Sequence, residues 1–476
     1  MSVVLPATDK DFDIRTQCVV VGGGACGLIT ALRLADAGID VIVVERDNRP
    51  TGSTSMSSGF IPAPGTRVQQ AFGIEDSAEL FAADIQRKAN NEADDLVVNK
   101  VAAVIGPALD WLEKKHGFEW QLLTDFLYPG HTTHRMHTVP GKTGEALQNQ
   151  LLQAAEQSGI TLVTQARVDA LLSAETSEQT TATRRICGVR IQRPDGQHES
   201  IGCEYVVLAC NGYGASTELM RRFIPEMADA CYHGHAGNTG DAIRWGEALQ
   251  VPLKDTGAYQ GHGSLAAEHN ILITWALIME GGIQVNREGK RFSNELAGYS
   301  EQAVNVMNQT GSVAWNIFDE RLHQLGLTFP DYQQAVDAGA VRSGADVVEL
   351  ASTIGLPADL LEDTLKECRA LCEFMETDAF GRRFLPEQQL HRPLYAVKVQ
   401  PAVFHTQGGL TIDSDARVMH KSGQSIPGLY AAGGAAAGVS GAKVSGYLSG
   451  NGLLTAVALA VIAADSINAH TAGESE

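Results

Sequence analysis

Residues 18–45 constrain this chain more than any other segment. Cys18–Val21 is a short apolar run, and GGGACG follows it, with Gly22, Gly24 and Gly27 in G-x-G-x-x-G spacing. Residues 28–37 carry a helical pattern closed by Gly38. Val41–Val44 is a second apolar run, and Glu45 stands at its end, 18 residues beyond Gly27. Strand, glycine turn, helix, strand and acid in this order predict a dinucleotide-binding βαβ unit. The first glycine permits the tight turn, the second lets backbone approach a pyrophosphate, and the third lets helix and strand pack closely. The helix N-terminus then faces the phosphates. Glu45 can accept hydrogen bonds from ribose hydroxyls. Cys26 in the turn and Arg46 beside the acid share the cofactor-binding segment.

Composition narrows the remaining possibilities. At roughly 100–200 residues per domain, 476 residues allow two to four domains. With 44% hydrophobic and 19% charged residues, global disorder is excluded. A net charge of −20 opposes binding to nucleic acid or anionic membranes. The N-terminus lacks the charged start and apolar core of a secretory signal. The apolar run 453–462 is too short to span a bilayer and suits a buried helix. The eight cysteines form no paired CxxC zinc pattern, and Cys368 and Cys372 read as neighbours on a helix. His131, His134 and His137 do not match a zinc arrangement, so no metal is expected. A reduced, cytoplasmic protein without a transmembrane segment is the expectation.

The chain keeps an α/β character after the first unit. Residues 147–157 read as a helix and 161–164 as a strand. Residues 186–193 and 198–203 read as a hairpin around Pro194-Asp195-Gly196, and 205–209 as a buried strand leading into Asn211 and Gly212. Residues 171–183 read as a mobile surface loop. Between 259 and 404 the texture shifts to charged helices with fewer β-runs, and from Thr406 the glycine-rich α/β texture returns. This predicts a Rossmann-like domain, 1–258 and 405–476, interrupted by an α+β domain at 259–404.

Several further pieces stand in a fixed order: TGSTSMSSGF (51–60), NTGDAIRWGEAL (238–249), VNREGKRFSNE (285–295), FHTQGGLTID (404–413) and IPGLYAAGGAAAGVSG (426–441). With VVVGGGACG…VERD they resemble the FAD-dependent fumarate reductase/succinate dehydrogenase flavoprotein superfamily over residues 14–465. The resemblance implies FAD, and an inserted domain that caps the flavin. It places Gly52, Ser53, Thr54, Ser58 and Gly59 along the cofactor, and Val168 beside adenine. Asn211, Gly212, Asp241, Gly433, Gly434, Ser449, Asn451 and Leu453 join the cofactor-binding set. Residues 51–60 contain no histidine, so FAD is expected to be non-covalent. The His131–His137 segment is expected as a loop over the flavin.

The superfamily moves a hydride between flavin and carbon while a proton moves at the neighbouring carbon. In its fumarate-reducing branch, substrate carboxylates meet positions that correspond to His262, Thr274 and His405. The glutamate and two arginines of that branch's proton relay fall at Trp275, Ile278 and Tyr299, and GVSGAKVSGY lacks its final arginine. Trp, Ile and Tyr cannot run that relay. The 3-ketosteroid 1-dehydrogenase and cyclic-ketone desaturase branch carries a tyrosine after its RF-x-NE motif, and RFSNELAGY is similar. The resemblance therefore implies Tyr299 as the base that removes an α-proton, with the Gly446 N–H polarising the carbonyl and Tyr128 as a second active-site tyrosine. That branch's partner tyrosine falls near Ala442, where Tyr447 or Lys443 could substitute. The expected substrate is a cyclic ketone, either a keto-acid such as 4-oxocyclohexanecarboxylate or a 3-oxosteroid. The alternative is a reductase of an unsaturated acid. Oxygen, a quinone or a carrier protein would accept the electrons.

Overall fold

The computed structural model describes residues 3–174 and 184–473. The chain forms two units. One holds the chain up to Ile224, Gly234–Tyr259 and everything from His405; the other holds Pro225–His233 and Gln260–Phe404.

In the first unit a six-stranded sheet runs in the order Arg417–Met419, Ser425–Ala431, Tyr205–Leu208, Cys18–Val21, Val41–Val44, Thr161–Val163. All neighbours are parallel except the first pair. Parallel strands covered on both faces read as continuous apolar runs, and Val19, Val20, Val206 and Val207 are all fully buried. Burying each such side chain contributes roughly 1.5–3 kcal/mol. The helix Ala25–Asp36 packs on this sheet, as the βαβ reading requires, and buries nine of its twelve residues. Its neighbours are the helices Gly144–Gln157 and Asn451–Gly473.

That last helix corrects one expectation. The apolar segment is not a ten-residue run but part of a helix of 23 residues whose most apolar 18-residue window has a mean hydropathy of 1.7, long and apolar enough to cross a membrane. It packs against the helices Ala25–Asp36 and Asp95–His116, and 61% of its apolar window is buried in the protein interior. A core helix surrounded by partners is apolar on all faces for the same reason as a membrane span.

A second sheet in this unit orders Val3–Ala7, Arg167–Ala174, Ile186–Gln192, His198–Gly202 and Ile14–Arg15. The expected hairpin is there, antiparallel, with Gln192 opposite His198. Of the loop expected at 171–183, residues 171–174 instead complete the strand Arg167–Ala174. Residues 175–183 lie outside the described residues.

The second unit departs from its helical texture, because it is built on a seven-stranded sheet. The strand Leu394–Thr406 pairs with Ala314–Asp319 and Val341–Gly344, both antiparallel, and with Cys231–Tyr232 in parallel. Lys398 and Gln400 alternate with buried Val397 and Val399 along this strand, which weakens its apolar signal. The helices Val347–Ile354 and Ala358–Phe374 cover one part of the sheet, and Cys368 and Cys372 lie on the second of them.

Candidate active site

The first unit carries the nucleotide cradle. A Cβ on Gly27 would lie 1.8 Å from the Gly22 carbonyl oxygen, and one on Gly22 would lie 2.6 Å from that of Ala209. No other residue fits at either position. Gly24 caps the helix Ala25–Asp36 without a side chain, and the Ala25 N–H is met by Thr54 Oγ1 at 3.0 Å. Glu45 does more than present a carboxylate. Its Oε2 accepts from the Gly23 N–H at 2.8 Å and its Oε1 from the Asp47 N–H at 2.9 Å, which ties the glycine turn to the strand end. Arg46 lies against Gly237, where a Cβ would meet its guanidinium at 1.9 Å.

Ser53 Oγ accepts from Asn211 Nδ2 at 3.0 Å and from Asn238 Nδ2 at 2.9 Å, and Asn211 Oδ1 accepts from the Gly212 N–H at 2.8 Å. A Cβ on Gly434 would meet that same Oδ1 at 2.2 Å, while Gly433 sits over Cys26. Asp241 begins the helix Asp241–Ala248, with Arg167 at 3.6 Å. Gly59 is pressed on Thr143, and Val168 is buried. The residues fit a large polar cofactor in two respects. Gly24 and Gly52 face one another as bare backbone, with 4.0 Å from the Gly24 Cα to the site of a Cβ on Gly52. Asn451 Oδ1, at the start of the C-terminal helix, is buried without a hydrogen-bond partner. It is an acceptor suited to a ligand N–H. Gly22, Gly24, Gly27, Glu45, Ser53, Thr54, Gly433, Gly434 and Asn451 would hold the cofactor.

His131 is buried, and its Nε2–H donates to the Ser449 carbonyl at 2.9 Å; burial pushes its pKa down to about 4. His137 is not a loop residue: it lies in the strand Met136–Thr138, fully buried, bonded to Thr66 Oγ1 and the Arg135 carbonyl. Among the described residues no group of histidine, cysteine and carboxylate side chains could hold a metal ion. Tyr128 packs between Phe60 and Phe126, with centroids at 6.1 and 4.6 Å. The Gly446 N–H, expected to polarise a carbonyl, instead donates to the Lys443 carbonyl at 3.1 Å within the turn Val444–Gly446.

His405 packs edge-on against Tyr447, with centroids at 5.8 Å, and its ring covers Gly452. Burial pushes its pKa down to about 4. Its Nδ1 accepts from Gln407 Nε2 at 2.9 Å.

In the second unit His262, Trp275 and Tyr299 come together, and Thr274 precedes Trp275 in the chain. The His262 ring stacks on Tyr299 at 5.0 Å and meets Trp275 edge-on at 5.6 Å, with Phe404 at 5.7 Å. Tyr299 begins the helix Tyr299–Met307. That helix approaches the strand Tyr259–Ala266 closely because Gly263 has no side chain: a Cβ there would lie 2.8 Å from the Gln302 backbone. Ser300 Oγ donates to the Gly261 carbonyl at 3.0 Å, closing the contact on the other side of His262. His262 Nδ1 accepts from the Ser264 N–H at 3.1 Å, so the neutral ring carries its proton on Nε2. Burial, then the neighbouring His233, pushes its pKa down to about 3. Thr274 Oγ1 accepts from the Ala276 N–H at 3.3 Å, and Ile278 is fully buried.

The RFSNE segment is fixed from beneath. Burial alone would raise the Glu295 pKa, but Arg382, Arg291 and the Gln284 N–H outweigh it and hold the carboxylate ionised. Asn294 Oδ1 caps the short turn Glu295–Ala297. Three contributors were missed from the sequence: Phe404, Gln407 and Ser440. The first two lie inside the FHTQGGL motif, and Ser440 in GVSGA.

A family model for the FAD binding domain matches residues 17–453. A fumarate reductase (cytochrome) of Shewanella frigidimarina is 28% identical over 438 residues, covering 91% of this chain and 74% of that protein. The open conformation of a flavocytochrome c3 fumarate reductase superposes with a TM-score of 0.80 at 28% identity, covering 97% of this chain and 79% of the other. A 3-ketosteroid-Δ4-(5α)-dehydrogenase of Rhodococcus jostii RHA1 superposes with a TM-score of 0.78 at 23% identity, covering 98% of this chain and all of the other.

Proposed function

The chain belongs to the FAD binding domain family and is a FAD-dependent oxidoreductase acting on CH–CH groups, and from that premise we propose that it desaturates a cyclic ketone α,β to its carbonyl. FAD, when bound, supplies the two-electron acceptor for the hydride that leaves the β-carbon. Tyr299 takes the α-proton. His262 stays neutral and presents a donor, and Trp275 and Ile278 line the region with apolar surface. By the resemblance, His262, Thr274 and His405 each correspond to positions that meet substrate carboxylates, which favours a keto-acid such as 4-oxocyclohexanecarboxylate over a 3-oxosteroid. Oxygen, a quinone or a carrier protein receives the electrons.

The observation that supports this reading is the packing of Tyr299 on His262, with Trp275 where a charged relay residue would stand. A hydride leaves a β-carbon readily only when negative charge builds at the α-carbon and flows into a polarised carbonyl. That requires a base at the α-carbon, and a positioned tyrosine can serve. The Gly446 N–H is already bonded within its turn, so it polarises the carbonyl only as a shared donor. The second reading, reduction of the C=C bond of an unsaturated acid, is favoured by the 28% identity to a fumarate reductase. Anaerobic mixing of the purified protein with cyclic ketones and keto-acids tests the choice. Bleaching of the flavin supports desaturation. Turnover of fumarate with a reduced dye, and silence toward every ketone, supports the second reading.

A further inference from the structure

The mechanism above leaves the buried side chains of Gln407 and Ser440, and the amide nitrogen of Asn451, unused. Gln407, Ser440 and Asn451 are 4%, 2% and 0% exposed. They form one line of hydrogen bonds that ends on His405. Asn451 Nδ2 donates to Ser440 Oγ at 2.9 Å, Ser440 Oγ donates to Gln407 Oε1 at 3.0 Å, and Gln407 Nε2 donates to His405 Nδ1 at 2.9 Å. Gln407 is itself held at both backbone ends, by the Ala258 carbonyl at 2.8 Å and the Gly438 N–H at 2.9 Å.

We propose that Gln407, ordered by Ser440 and Asn451, is a positioning residue that holds His405 in its Nε2–H tautomer, so that this ring meets the substrate as a hydrogen-bond donor to oxygen. The substrate contact rests on the reading given above; the tautomer does not. A nitrogen that accepts a hydrogen bond carries no proton, so the neutral ring places its proton on Nε2. The other acceptor within reach of an Nδ1 proton is the Thr406 carbonyl, at 3.5 Å and at the edge of hydrogen-bonding distance. The direction of the line is set at Ser440. Its Oγ accepts from Asn451 Nδ2 and donates to Gln407 Oε1, and reversing Gln407 would aim two amide donors at that oxygen and take away the acceptor of its proton. The side chains facing the ring add no fixed charge: Tyr447 from its own turn, Gln407 from the strand end, and the bare backbone of Gly452 from the C-terminal helix.

The signal of this arrangement is spectroscopic and needs no substrate. In the FAD-loaded protein, ¹⁵N-histidine correlation spectra, with His405 assigned by the His405→Gln variant, should show Nε2 protonated and Nδ1 bare at pH 7, with no titration down to pH 5. Gln407→Leu should lose the tautomer preference. Gln407→Glu, whose carboxylate accepts instead of donating, should place a proton on Nδ1 and move the midpoint of His405 above pH 6. A wild-type ring protonated on Nδ1, or a tautomer unchanged in both variants, overturns the proposal. If the tautomer is as stated and no ketone bleaches the flavin, the ketone reading falls and this one stands. If a ketone bleaches the flavin while Nδ1 carries the proton, the reverse holds.

Discussion

The ring of His262 lies stacked on that of Tyr299, with centroids 5.0 Å apart and planes inclined by 24°. Burial holds the His262 ring unprotonated until about pH 3, and in the function proposed above the α-proton goes to the Tyr299 hydroxyl. Tyr299→Phe keeps both rings in place and removes only that hydroxyl. It should keep the fold and the FAD but slow flavin reduction by ketone about 10²–10⁴-fold. The loss should appear in kcat more than in KM. Stopped-flow reduction at near wild-type rate would show that Tyr299 is not the base.

Gly263→Ala tests the packing that brings those two rings together. The added methyl must push against the Gln302 backbone, 2.8 Å away. The helix that begins with Tyr299 should shift, so kcat should fall at least tenfold while FAD content stays the same. Unchanged kinetics would mean the helix position is unimportant.

Buried histidines set the acid limit of stability. His262 is held down to about pH 3, and His131 and His137 to about pH 4, against an ordinary 6.5. Their folded pKa values are depressed, so between those values and 6.5 the unfolded chain binds more protons. Stability is therefore full above about pH 6.5 and falls as the pH drops toward 4. Each such histidine adds a slope of up to about 1.4 kcal/mol per pH unit. Denaturant midpoints from pH 7 to 5 should decline for the wild type. His262→Phe should decline less steeply by roughly 1 kcal/mol per pH unit; an identical slope would contradict the neutral, buried state of the ring.

Glu45→Ala should weaken FAD retention. It removes the acceptor of the Gly23 and Asp47 N–H groups, at roughly 1–3 kcal/mol, or about 5- to 150-fold in Kd. Fluorescence titration of the apoprotein measures this. In the same preparation, acid precipitation of the wild type should release the yellow colour, and a pellet that keeps it would exclude non-covalent FAD.

The first strand, helix and second strand were legible because their determinants are local. Cys18–Val21 and Val41–Val44 are continuous apolar runs, and Gly27 is forced by the Gly22 carbonyl five residues before it, although Gly22 itself is forced by the distant Ala209. The strand Leu394–Thr406 was not legible as the centre of a sheet. Its partners lie near residues 231, 314 and 341, and its own Lys398 and Gln400 break the apolar pattern. The C-terminal helix was legible in kind and not in length, since its apolar run marks only the part packed on Ala25–Asp36 and Asp95–His116, and the helix runs on through the largely exposed residues 468–473.

The sequence by itself determined the nucleotide fold, its glycine turn and the residue types available for chemistry, because short-range sterics and burial decide those. It could not tell where the Gly446 N–H would point, since the turn to Lys443 takes that donor. It could not tell that Gln407 would end a line of hydrogen bonds from Asn451 through Ser440 to His405. Residues 405, 407, 440 and 451 are neighbours only after the sheet and the C-terminal helix have packed, and hydrogen-bond direction is a property of the whole buried set. Tertiary structure alone decided which nitrogen of His405 holds the proton.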